Sequence, residues 1–149
     1  MRKSTGRGWR CDDRVGLQPD QTDHKSILVG YWMEKAHESL AAGRSEYRSG
    51  RLTTAVRNLY YACFYSLTTL LLKKGRSFKK HTGVKAALHK DLIKEGILEP
   101  EWGKFYNKIF DSRHEGDYQP LRVFQTEEVA LYVEQCAGFI ARMETLLGR

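Results

Sequence analysis

AVRNLYYACFYSLTTLLLKKG, residues 55–75, decides the fold. Leu52, Val56, Leu59, Cys63, Leu67 and Leu70 recur at spacings of three and four, the repeat of one helix face. Tyr60, Phe64 and Leu71 widen that face until little polar surface is left. A helix apolar on most sides sits at the centre of its domain, so the pattern predicts a central helix over about 52–74. Lys73-Lys74-Gly75 closes it, with cations at the negative end of the dipole and a glycine behind them. The window LYYACFYSLTTLLL (59–72) also holds a serine, two threonines and three tyrosines. It is shorter than the roughly 18–20 apolar residues that span a bilayer, so it reads as a core helix and no membrane segment is expected.

Upstream, Met33, Ala36, Leu40, Gly43 and Tyr47 form a stripe on a helix of about 28–48, closed by Ser49-Gly50. Downstream, KKHTGVKAALHKDLIKEG gives a shorter helix of about 82–95 that stops at Gly96. Pro100 and Glu101 suit the first turn of a fourth helix running to about Gly116. Thr126, as an N-cap followed by Glu127 and Glu128, opens a fifth with the stripe Val129, Val133, Cys136, Ile140, Met143 and Leu147. No stretch alternates long enough for a strand. The expected fold is all-α, an antiparallel up-and-down four-helix bundle with one additional short helix.

Residues 1–27 carry no periodic apolar pattern and are expected to be a disordered or loosely attached basic and polar extension, leaving 28–149 as the helical domain. This N-terminus has no apolar h-region and does not read as a secretory signal. The three cysteines, Cys11, Cys63 and Cys136, are widely spaced and odd in number, which favours a reducing, cytoplasmic setting over a disulfide framework. Cys63 and Cys136 read as small core residues.

The chain carries 25 Lys and Arg against 18 Asp and Glu, a net charge of +7, and most of that excess lies outside the extension. Such a charge permits salt-sensitive contact with nucleic acid without requiring it. Lys73, Lys74, Arg76, Lys79, Lys80 and Lys85 gather around the junction of the second and third helices. A run of this kind is usually a solvated loop, and of the stacking aromatics that RNA recognition needs only Phe78 stands among them. His81 reads as a solvated imidazole capping the start of the third helix, or as facing a basic pocket with Lys79, Lys80 and Lys85. His37, His89 and His114 have no ligand partners at metal spacing, so no metal site is expected. No Gly-rich phosphate loop, GxSxG elbow or HExxH is present, and no cofactor is expected.

Three segments in order resemble the HEPN domain family (higher eukaryotes and prokaryotes nucleotide-binding), above all its small stand-alone prokaryotic branch. They are Arg57-Asn58-Leu59-Tyr60-Tyr61-Ala62-Cys63-Phe64, His81-Thr82-Gly83-Val84, and Arg113 through Tyr118 (RHEGDY). The resemblance spans roughly residues 30–147 and implies a helical bundle that commonly homodimerises. It also implies a small nucleotidyltransferase partner, in a toxin–antitoxin or defence-type pair, and a groove that takes a nucleotide or RNA. Active relatives are metal-independent endoribonucleases with an Arg-x4-6-His motif. Here Arg113 matches the arginine and His114 the polar position after it, but Asp117-Tyr118 stand where the motif's histidine is expected.

On this reading Arg113 is the cation of the site, with His114, Asp117 and Tyr118 as candidate catalytic partners. Arg57, Tyr61, His81, Lys79 and Lys80 are candidate binding residues. The local alternative is an Arg113–Asp117 ion pair at i, i+4, with Tyr118 folded back where Gly116 ends the helix. The missing histidine tips the expectation towards an interaction module in which Tyr118 is a surface open to a transferase. The ribonuclease and a structural subunit of a larger complex stand as alternatives.

Overall fold

The computed structural model describes residues 19–148, with side chains from residue 24 onward. Five helices follow one another: α1 (Pro19–Arg48), α2 (Leu52–Lys73), α3 (His81–Ala87), α4 (Pro100–Tyr118) and α5 (Thr126–Leu147). Beyond Ala87, α3 continues through Leu88–Ile93 in π-helical winding. No strand occurs among the described residues, and none of their helices is long and apolar enough to cross a membrane. The fold is the expected all-α bundle.

The central helix is α2, which packs against α1, α3, α4 and α5. Leu59, Tyr60, Cys63, Leu67, Leu70 and Leu71 are all essentially without solvent exposure. Burying a large apolar side chain stabilises by about 1.5–3 kcal/mol, so Leu59→Ala, which also leaves a cavity, costs about 2–5 kcal/mol. The backbones of α1 and α2 approach closely at Gly43, where an added Cβ would lie 2.7 Å from Leu59 Cδ2. The reversal between these helices uses Gly50 at φ +81°, a left-handed conformation that costs glycine little.

Three expectations are corrected at helix ends. α1 begins at Pro19 rather than near 28. Ser26 is exposed and Ile27 is 67% exposed, and the first buried side chain described is Val29. A helical turn that buries nothing leaves no apolar period to read. Residues 1–18, including Cys11, lie outside the described residues. At α5 the N-cap is Gln125, whose backbone N–H donates to Glu128 Oε1 at 3.4 Å, and Thr126 is the first helical residue. At α4 the helix runs through Gly116 to Tyr118. Gly116 does not terminate it: a Cβ there would meet Phe124 Cε2 at 2.9 Å and Thr53 Cγ2 at 3.3 Å, so the glycine admits the Phe124 ring.

Cys63 and Cys136 are free, buried thiols with sulfurs 3.5 Å apart, and Cys136 also donates to the Leu59 carbonyl. Burial pushes the Cys63 thiol well up, keeping it protonated and a poor nucleophile. Both act as core residues.

Candidate functional site

On α4, Arg113 and Asp117 are four residues apart and share a face, while His114 lies about 100° round the helix. The Arg113 Nε is 3.1 Å from Asp117 Oδ2, an ion pair that lacks the alignment of a hydrogen bond. From α2, Arg57 donates to Asp117 Oδ1 through Nε at 3.1 Å and Nη2 at 2.8 Å. Two guanidiniums thus share one carboxylate, leaving a net positive charge in a sheltered position. The Arg113 side chain is 22% exposed and that of Asp117 13%.

Arg57, Tyr60, Tyr61 and Phe64 occupy one stripe of α2, spaced three, one and three residues apart. Tyr61 accepts a hydrogen bond from Arg113 Nη2 at 3.2 Å, and the guanidinium lies 5.5 Å from the ring centroids of both Tyr60 and Tyr61. Cation–π contact of this sort is worth about 0.5–2 kcal/mol, more as water is excluded. The arginine is held on three sides: by Asp117, by the Tyr61 hydroxyl and by two ring faces.

The third contribution comes from His81, the first residue of α3. It caps nothing: its ring stacks on Phe64 at 4.2 Å and its Nδ1 lies 2.9 Å from the Tyr60 hydroxyl. Burial, then the charge of Arg113, lower its pKa below the ordinary 6.5, so it is neutral at physiological pH. Burial pushes Tyr60 up to about 12, which keeps that phenol protonated. The solvated imidazole expected from the sequence is therefore replaced by one held against α2 in the field of Arg113. Its Nε2 makes no hydrogen bond to another described residue. Lys85 Nζ sits 4.5 Å from the Phe110 centroid, and Phe110 lies edge-on to Tyr60 at 5.8 Å, so a second cation borders the cluster.

The remaining sequence candidates fall elsewhere. His114 and Tyr118 turn about 100° away from that face of α4, both exposed, their ring centroids 4.8 Å apart. Tyr118 is 65% exposed and does not fold back, because the helix that was expected to end at Gly116 carries it onward. Lys79 and Lys80 are exposed just ahead of His81. Two further members of the basic run have structural partners: Lys73 donates to the Leu147 carbonyl at 2.6 Å, and Arg76 pairs with Asp91. Sequence reasoning had Tyr60 only as core and missed that its hydroxyl holds His81. The α2 stripe was visible in the sequence, but the contact between residues 60 and 81 depends on how α3 docks. Among the described residues no three His, Cys, Asp or Glu gather as metal ligands.

The sequence model of the HEPN domain matches residues 29–146, the stretch that holds every member of this cluster. The chain belongs to the HEPN domain family. This HEPN domain is 39% identical over 125 residues to a Thermotoga maritima protein named "UPF0332 protein", covering 84% of the chain and 95% of that relative. It is also similar to two Methanocaldococcus jannaschii proteins, each named a "putative toxin". One is 35% identical over 115 residues, 77% of the chain and 78% of the relative. The other is 30% identical over 115 residues, 77% of the chain and 85% of the relative.

Proposed function

We propose that this HEPN domain binds the phosphodiester backbone of RNA in the Arg113 cleft, as the toxin-like member of a pair with a small nucleotidyltransferase. The observation that carries the reading is the shared carboxylate: Asp117 balances only one of Arg57 and Arg113, so the sheltered site keeps a positive charge. An entering phosphate would meet a planar donor already oriented by Tyr61 and Asp117, so little ordering entropy remains to be lost. The names of the archaeal relatives favour the toxin side of such a pair. A homodimeric, cytoplasmic protein belongs to the same reading. Fluorescence anisotropy with labelled single-stranded RNA tests it: Arg113→Ala should weaken binding strongly, and equal affinity for the two proteins would remove the claim. Co-purification with a transferase encoded nearby tests the pairing.

A second reading, metal-independent cleavage of that RNA, is favoured by His81. Cleavage needs a base for the 2′-hydroxyl proton, an acid for the leaving 5′-oxygen and a cation for the charged phosphorane. In the tautomer that donates Nδ1–H to the Tyr60 hydroxyl, neutral His81 has an Nε2 lone pair to take the proton. Tyr61, already accepting from Arg113, keeps its own hydroxyl proton to give to the leaving oxygen. Arg113 faces the developing charge. On this reading His81, from another helix, supplies the imidazole missing where Asp117-Tyr118 end the Arg113 motif. Incubation with RNA in EDTA should give cleavage that His81→Gln and Arg113→Ala each abolish. Intact RNA with the wild-type protein would leave the binding reading alone standing.

A further inference from the structure

A row of aromatic rings runs across α1 and α2 to the Arg113 cleft. Tyr31 and Trp32 on α1 have centroids 5.1 Å apart, Trp32 lies 5.5 Å from Tyr65 on α2, and Tyr65 lies 5.7 Å from Tyr61. Tyr61 then meets the Arg113 guanidinium at 5.5 Å. At the far end Lys35 Nζ stands 5.7 Å from the Tyr31 centroid. Tyr31 is 48% exposed, and Trp32, Tyr65 and Tyr61 are each half-buried.

We propose that this row is a stacking track along which the unpaired bases of single-stranded RNA lie, leading the strand to its phosphate contact at Arg113; the proposal rests on the RNA reading above. Every base has a π-face, so a run of aromatic side chains beside cations holds a single strand with little sequence preference. A duplex cannot use it, because its bases already stack on each other. Protein–protein interfaces are depleted of lysine, whereas here Lys35 stands against the outermost ring, and with Arg113 at the other end both ends of the row are positive, matching a polyanion. The basic run between α2 and α3 offers Phe78 alone as an aromatic. The stacking surface that run lacks is provided by α1 and the second half of the α2 stripe.

The test uses the full chain with a labelled oligouridylate of about eight nucleotides, long enough to cover such a track, and with uridine monophosphate. Trp32→Ala and Tyr65→Ala should each weaken the oligonucleotide about ten-fold and leave the mononucleotide unchanged, while Trp32→Phe retains most of the affinity. Circular dichroism checks each fold, and Tyr31→Ala, at a half-exposed ring, serves if Trp32→Ala is unfolded. Unchanged oligonucleotide affinity in the stacking variants, with Arg113→Ala still weakening it, overturns the track and spares the phosphate site. A wild-type protein that binds neither ligand overturns both. Variants that shift a dimer to monomer in sedimentation with RNA affinity intact assign the row to a second copy of the chain, and the track is then wrong.

Discussion

The end of α4 has two faces that differ in everything but their sequence address. Arg113 and Asp117 face α2, where Arg57, Tyr60 and Tyr61 surround them. His114 and Tyr118, one residue further along in each case, face solvent and touch each other. A helix advances 100° per residue, so four consecutive-looking polar groups are divided between a built site and an open surface. The imidazole nearest Arg113 in sequence thus faces solvent and not the cluster on α2. That place belongs to His81, from a different element.

The contrast is sharpest in binding. Arg113→Ala should raise the Kd for single-stranded RNA about thirty-fold, the loss of roughly 2 kcal/mol that a charge-assisted contact supplies. His114→Ala should change it less than about two-fold, because an exposed side chain on the solvent face contributes only a fraction of a kcal/mol. Comparable losses in the two would break the division of faces.

Stability separates the faces next. Asp117→Ala leaves two guanidiniums side by side without their shared anion and should cost about 1.5 kcal/mol in urea unfolding, a figure kept low because Arg57 is partly solvated. Tyr118→Ala should stay within about 0.5 kcal/mol of wild type. Gly116 lies between the two faces. Gly116→Ala drives a methyl into the Phe124 ring and should cost about 1 kcal/mol; a neutral result would mean that the ring moves aside freely.

The smallest effect is in pH. The His81 pKa is lowered in the folded protein, so below pH 6.5 the unfolded chain binds more protons than the folded one. Stability contributed by this group is present above pH 6.5 and is lost as the pH falls through the lowered folded value. Urea midpoints measured downward from pH 7 should decline more steeply in wild type than in His81→Gln, and parallel curves would deny His81 its place beside Arg113.

How much of this was legible differs between the fold and the site. Each long helix announced itself because its buried face repeats every three or four residues, as Val129 through Leu147 does on α5. The start of α1 did not, since Ser26 and Ile27 are exposed and add no apolar period ahead of Val29. Within the site, the pairing of Arg113 with Asp117 was readable from local spacing. The approach of Arg57, 60 residues away from Asp117, and of His81 to Tyr60 was not, because both depend on the docking of separate helices. The contact of Lys73 with the Leu147 carbonyl was hidden for a related reason: a lysine in an exposed basic run looks the same in sequence whether it caps another helix or faces solvent.

The close crossing at Gly43 bears on the order of folding. Helices α1 and α2 are joined by only residues 49–51, so their contacts close short loops, while the Arg57–Asp117 pair must close one of 60 residues. The hairpin is therefore the part able to form first, and the cleft assembles on it afterwards. Pulse-labelled hydrogen exchange should protect amides of the α1–α2 pair before those of α4, and simultaneous protection would contradict that sequence of events.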